Sequence, residues 1–514
     1  MPSSMNLDLE RQTSQQQEAS LLDSDANRED KEKDSSFRVA SGAEDTENPL
    51  NWGRAKRWYL TFAGGLLTLN ATFASSAPTG YMQEIMQEWH MGSELAALLI
   101  SLFVTGYCIG PLLWGPLSEQ YGRRPIFIVS FFVYACMQMA CALAPSPATL
   151  LVFRFLGGTF AAGPLTNSAA ILADIWDTST RGKAMMIFTL APFTGPAVGP
   201  LVSGYMQTAG VPWRWLFWVL AIFAGACFVV IVFTMPETYP RTILAQKAAR
   251  MRKEMGDSRY WAPIERVNIH WKVRVSNILA RPFKILFQEP MLIAIALYMS
   301  FVFGCVYLLF EAYPIVFTIG HRFSSGASGL MFVPFFLGCF TAVLAGLFYL
   351  NPRYRRQMIE YSALPVPPER RLEMAYVGGP MIVIAFLWFG WTSDSNISFW
   401  ASMMSGVPLG VDVILIFLNG LDSICLSRPR YSTIQVVDAY LMVAASALVC
   451  NTVARSLAAA GFPLFANQMY DRLGTKWAPS LVGLIALGML PISFVLARYG
   501  AGLRARSKHA PTKY

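Results

Sequence analysis

The chain has 514 residues, 54% of them apolar and only 14% charged, with a mean hydropathy of +0.40. Soluble domains carry roughly a quarter charged residues, so this composition excludes an ordinary soluble protein. The formal net charge of +9 does not indicate a nucleic-acid partner, because Lys and Arg gather in alternate segments between long apolar runs.

Residues 1–50 are rich in Ser, Gln, Asp and Glu and poor in aromatics. Such a segment cannot bury a core and reads as a disordered cytosolic tail. It offers no apolar stretch for a cleavable signal, so the first span is expected to act as an uncleaved anchor. Trp52, followed by Arg54, Lys56 and Arg57, marks a membrane interface. Twelve apolar runs follow, each about 20 residues or longer, the length that crosses a hydrocarbon core. They lie near Trp58–Gly80, Leu95–Leu117, Ile126–Ala144, Thr149–Ala173, Lys183–Thr208, Trp213–Met235, Met291–Thr318, Gly326–Leu350, Ala375–Ser393, Ile397–Gly420, Val437–Phe465 and Trp477–Arg498.

The expected fold is therefore an all-α membrane protein, with twelve transmembrane helices in two pseudo-symmetric six-helix bundles. The bundles occupy residues 51–235 and 291–499. Residues 236–290 between them form a cytosolic central loop with eleven Lys and Arg, in which Ala245–Met255 has helical composition suited to the inner leaflet. Residues 500–514 form a cytosolic tail. The first outer loop carries Glu84, Glu88 and Glu94 and no Lys or Arg, so the charge bias places both termini in the cytosol.

Chemistry-bearing residues stand at a few positions. The turn after the second span, Gly115–Pro125, holds Glu119, Gly122, Arg123 and Arg124. Gly122 permits a tight reversal, Glu119 is placed to pair with a cation or face a helix N-terminus, and the arginines hold the turn in the cytosol. Asp174, Arg181 and Lys183 at the next cytosolic turn are candidate gate partners. The turn after the eighth span, Tyr349–Arg356, echoes this position in the second half. The fourth span contains Arg154 before Gly157, Gly158 and Gly163, and an arginine in lipid must be paired or wetted. In the fifth span Gly195, Gly199 and Gly204 allow close helix approach, while Pro196 and Pro200 bend the helix.

The four histidines, His90, His270, His321 and His509, fall in loops or the tail, so titration inside the spans rests on carboxylates. Glu311, in the aromatic run Tyr307–Tyr313, is the first candidate for proton coupling or for attracting a cationic substrate, and Asp412 is the second. A structural hydrogen bond is the other reading of Glu311. Asp438 caps the eleventh span, and Arg455 is placed to balance Glu311 or Asp412. The eight cysteines make no metal spacing. No Walker loop, nucleophile elbow or zinc motif is present, so no enzyme activity, cofactor or metal is expected.

The turn Gly115–Pro125 resembles the signature loop of the major facilitator superfamily. The paired Gly-Pro of span five resembles the G-P-x-x-G signature of its drug:proton antiporters. Arg154-Phe-Leu-Gly-Gly-Thr-Phe-Ala-Ala resembles the fourth-span motif, whose arginine the family links to proton transfer; a structural hydrogen bond to a neighbouring helix is the competing reading. Asn48–Trp52, Pro164–Asn167, Ala173–Trp176, Trp213–Trp218, Pro236–Tyr239, Phe310–Phe317, Val437–Tyr440 and Arg455–Phe465 are similar to the fungal twelve-span drug:proton antiporters, the multidrug and polyamine exporter branch. The likeness covers residues 48–508. Family members usually carry a small or apolar residue at Asp412, so any role there is peculiar to this chain. Their link between spans ten and eleven is very short, whereas residues 422–435 intervene here, as a genuine insertion or a translated intron.

The resemblance implies proton-coupled efflux of small amphipathic or cationic organic compounds by alternating access. The chain would work as a monomer in the lipid bilayer of the plasma membrane. A nutrient or vitamin importer on the same fold is the alternative. The orientation has a direct test. An epitope tag inserted between Gly256 and Ser258 should be reached by an impermeant antibody only after permeabilisation; labelling of intact cells would invert the topology.

Overall fold

A computed structural model describes residues 37–40, 42, 44–177, 180–266, 284, 287, 290–353, 356, 373–425 and 434–505. Twelve long helical segments are present: α1 (Arg54–Ser76), α2 (Ser93–Tyr121), α3 (Arg123–Ala142), α4 (Pro147–Ile175), α5 (Arg181–Thr208), α6 (Trp213–Thr234), α7 (Pro290–Tyr313), α8 (Ser325–Arg353), α9 (Glu373–Thr392), α10 (Phe399–Met404 continued by Gly406–Cys425), α11 (434–473) and α12 (475–505). Local sequence sets the breaks. Gly122, at φ 98°, separates α2 from α3, and Gly474, at φ 73°, separates α11 from α12; both angles favour a residue without Cβ. Ser146 caps α4 by accepting from the Thr149 N–H, with Pro147 at the first helical position.

Nine segments among the described residues are long and apolar enough to cross a membrane, and one of these, Val449–Ile492, runs across the α11–α12 break. The segment α1 is not among them. It carries Thr61, Thr68, Asn70, Thr72, Ser75 and Ser76, all buried against other helices. Its polarity faces protein, so it does not have to meet lipid.

The packing repeats between the two halves. In the first half α1 packs on α5, α2 on α4, and α3 on α6. In the second half α7 packs on α11, α8 on α10, and α9 on α12. Each equivalent pair is separated by six helices in the chain, which is the signature of two related halves. The α2–α4 and α8–α10 contacts both depend on glycine. A Cβ at Gly158 would lie 2.7 Å from the Phe103 carbonyl carbon, and one at Gly410 would lie 2.7 Å from the Cys339 nitrogen. Backbone meets backbone at both crossings, which dispersion forces favour in lipid.

The halves touch along two diagonals. Between α2 and α11, the Gln468 amide donates to Glu94 at 2.6 Å, and Cys108 faces the Val453 carbonyl at 3.8 Å. Between α5 and α8, the Gly326 N–H donates to Thr208 at 3.1 Å. Ser75 of α1 and Tyr307 of α7 share a hydrogen bond of 3.0 Å at the centre.

A second, small unit combines the described residues up to Trp52 with those from Tyr239 to Arg266. Helix Pro240–Met255 ends at Gly256, whose φ is 68°. Phe37 and Val39 pair their backbones with Trp261, and Val39, Ala248 and Ala262 form a core. Lys247 and Arg250 bind Asp45 and Glu47 at 2.6 and 2.8 Å, and the Lys247 hydrogen bond holds the Asp45 carboxyl below its ordinary range. Residues 37–50 therefore differ from the expectation of a free tail, because their acidic side chains find basic partners on a helix distant in sequence. Residues 1–36 lie outside the described residues. So do 426–433 of the suspected insertion, whose flanks close α10 and open α11.

Gly158→Ala should destabilise the protein by about 1–3 kcal/mol through overpacking. Gly225→Ala on α6, where a Cβ meets nothing within 4 Å, should not destabilise it. Melting in detergent micelles compares them, and equal midpoints would discount the close α2–α4 contact.

Candidate functional site

Glu311 sits near the end of α7 and is only 5% exposed. Its Oε2 accepts from the Asn467 amide of α11 at 3.2 Å, while Oε1 has no hydrogen-bond partner among the described residues. The carboxylate borders a cavity of about 180 Å³ between the halves. Thr79, Met82 and Pro200 line it from the first half, and Phe332 and Asn467 from the second. The cavity lies toward the end of the bundle that carries residues 77–93. It combines apolar surface, adaptable Met side chains and one under-satisfied carboxylate, which suits an amphipathic ligand or a proton.

Arg455 of α11 lies deeper, beside a small void of about 10 Å³. It is not ion-paired to Glu311 or Asp412. Its guanidinium instead stands 5.0 Å from the Phe303 ring centre and 4.9 Å from that of Phe417. Asp412 is fully buried in α10, with both carboxylate oxygens unpartnered among the described residues. It does not border the cavity beside Glu311 or the void beside Arg455. The three groups thus occupy separate environments. The side chain of Asp438 lies outside the described residues.

Arg154 is fully buried and well satisfied. It donates to the carbonyls of Leu99 at 2.8 Å, Ala74 at 2.9 Å and Ser75 at 3.2 Å, and covers the Phe103 ring at 4.1 Å. These bonds tie α4 to α1 and α2, and Ser75 in turn reaches Tyr307 of the other half. In α5, a Cβ at Gly195 would lie 2.6 Å from the Phe73 nitrogen, and one at Gly199 would lie 3.0 Å from the Ala77 nitrogen. Pro196 and Pro200 stand inside the same helix. The glycine face therefore seats the bent helix on α1.

At the opposite end, Arg123 is 6% exposed. It binds Asp174 at 3.3 Å and Asn167 at 3.3 Å, and also Ser118, which itself donates to Asn167 at 2.7 Å. The backbone N–H groups of Arg123 and Arg124 donate to the two oxygens of Glu237 at 2.9 and 3.1 Å. Glu237 thereby places a carboxylate on the N-terminus of α3, where the helix dipole favours it. The Arg124 side chain donates to the Val232 carbonyl at 3.0 Å. Arg181 donates to the carbonyls of Ala173 and Trp176 at 2.9 and 3.2 Å, closing the C-terminus of α4. Glu119 is half-buried and makes no hydrogen bond or ion pair among the described residues.

The Major Facilitator Superfamily profile matches residues 64–436. The MFS-type efflux pump MFS2 of Trichophyton rubrum is 38% identical over 470 residues, covering 91% of this chain and 76% of its own length. The multidrug transporter mdrA of Aspergillus fumigatus is 36% identical, covering 92% of this chain and 76% of its own. The chain is a member of the major facilitator superfamily. Among solved structures, the proton:xylose symporter XylE of E. coli superposes with a TM-score of 0.62 over 87% of this chain and 96% of its own, at 14% identity, which speaks for the fold alone. The protein is a multi-pass membrane transporter of small molecules, not an enzyme.

Sequence reasoning missed three residues of this transporter's charged network. Asn167, Ser118 and Glu237 had no local signal of partnership, although Asn167 stands in the string Pro164–Asn167, Ser118 in the turn Gly115–Pro125 and Glu237 in the string Pro236–Tyr239. Asn467, the partner of Glu311, likewise carried no local signal. Arg123→Ala should lower stability by about 3 kcal/mol, because it leaves Asp174 buried and unpaired. Arg123→Ala combined with Asp174→Ala should recover part of the loss, and Glu119→Gln should leave the melting midpoint unchanged. No recovery in the double variant would show that Arg123 acts through Ser118 and Asn167 instead.

Proposed function

We propose that this transporter exports small amphipathic organic compounds from the cytosol in exchange for protons, at the plasma membrane and with both termini inside. Glu311 carries the reading. It is a buried carboxylate with one oxygen unpartnered, and it faces a cavity between the halves. Holding its charge in that setting is costly, so proton uptake and release alter the balance between conformations. Relatives named as an efflux pump and a multidrug transporter support the direction of transport.

In the proposed cycle the two six-helix halves rock about the centre, with residues 118–125 at the cytosolic end. The Glu311 cavity then faces outward. Arg154 holds α1, α2 and α4 together as one moving body through its three carbonyl bonds. The Arg123–Asp174 pair and the Glu237 cap brace the cytosolic turn, so that α2 and α3 move with the rest of their half. The kinked α5 lines the path between the halves.

Glu311→Gln keeps the shape and removes the titration. It should reduce uphill efflux by more than about tenfold and flatten its pH dependence, while downhill exchange persists. Efflux of a fluorescent dye from vesicles across a pH series measures both. Normal pumping with the wild-type pH profile would make Glu311 structural and pass the coupling role to Asp412.

A further inference from the structure

We propose that Arg455 anchors the carboxylate of a planar organic monoanion, and that the apolar void beside it is the closed form of the site that holds the anion's rings. The inference rests on the export reading and narrows its substrate.

Arginines elsewhere in this fold show how the protein satisfies a guanidinium when its task is structural. Arg154 meets three backbone carbonyls, and Arg123 meets a carboxylate, an amide and a hydroxyl. Arg455 meets none of these. The residue as a whole is half-buried, its Nε is buried without an acceptor among the described residues, and its guanidinium lies against the rings of Phe303 and Phe417. Cation–π contact spreads the charge but provides nothing for the in-plane N–H donors. Leaving such donors unmet inside a protein is costly, and the planar fork of five N–H groups matches a carboxylate.

Glu311 does not serve as that acceptor. Phe303, which Arg455 covers, and Glu311 stand eight residues apart on α7, so about 12 Å of helix separates their positions. The positive charge is therefore open to an incoming anion. The walls define the rest of the ligand. Phe193 comes from α5, and Val413, Ile416 and Phe417 from α10. At about 10 Å³ the void has room for little more than a water molecule. It is shared by the two halves, so it enlarges when α5 draws away from α7 and α10. Aromatic walls then favour a flat ring system. Glu311 lies farther along the same path and disfavours a second negative charge, which selects a monoanion.

Three probes with one ring system separate the charge types: 2-naphthoate, 2-naphthamide and 2-naphthylmethylammonium. Binding is measured by calorimetry on the full chain in lipid nanodiscs. Naphthoate should bind the wild type most tightly. Arg455→Gln should weaken naphthoate about ten- to a hundredfold and leave naphthamide unchanged, with Arg455→Lys between. Equal binding of the three probes, or naphthoate binding untouched by Arg455→Gln, overturns the assignment. If Arg455→Gln does not reach the membrane, the ranking on the wild type and the loss in Arg455→Lys decide. Naphthoate binding without proton-driven efflux of any probe would sink the export reading alone. Glu311-dependent efflux of a neutral dye without preference for naphthoate would sink the anion site alone.

Discussion

Placing a charge among apolar helices is expensive, and this molecule is arranged around the ways it meets that cost. Arg154 is surrounded by carbonyls, and Arg123 by a carboxylate, an amide and a hydroxyl. Both are locked, and both hold helices of the first half together. The second half treats its charges differently. Glu311 has one oxygen satisfied, Asp412 has neither, and Arg455 has aromatic rings in place of acceptors. The first half is thus internally neutralised, and the second keeps groups whose demands a proton or a ligand can meet.

Close packing makes that division possible. Glycines at the α2–α4 and α8–α10 crossings bring backbones together and give each half a stiff frame. The halves also meet through glycine: a Cβ at Gly329 of α8 would lie 2.8 Å from the Leu201 Cα of α5, and one at Gly204 would lie 2.7 Å from the Ser325 carbonyl carbon. Single hydrogen bonds add to this seam: Gln468 on Glu94, Gly326 on Thr208, and Ser75 on Tyr307. In the proposed cycle, rocking parts the seam at one end while the frame inside each half stays whole.

The central hydrogen bond also links the two kinds of charge. Arg154 holds the Ser75 carbonyl, the Ser75 hydroxyl reaches Tyr307, and the Tyr307 ring meets that of Phe303 at a tilt, with ring centres 5.3 Å apart. Phe303 carries Arg455. A contiguous set of contacts thus runs from the locked arginine of the first half to the unsatisfied one of the second.

Much of the architecture was legible in the sequence. The twelve spans and the break at Gly122 follow from hydrophobic length and backbone freedom, which are local properties. The buried positions of Arg154, Glu311 and Asp412 were visible because a charge within an apolar run has nowhere else to go. Their partners were not visible. Glu119 and Glu237 are both carboxylates near a basic turn, yet only Glu237 reaches the N-terminus of α3. Arg455 was expected to balance a carboxylate and meets two rings. Residues 37–50 looked like a tail until a distant basic helix paired with them. Sequence determines which groups must be satisfied, because that depends on each group and its own span. Which atoms satisfy them depends on helices brought together from far along the chain, and only the tertiary structure decides that.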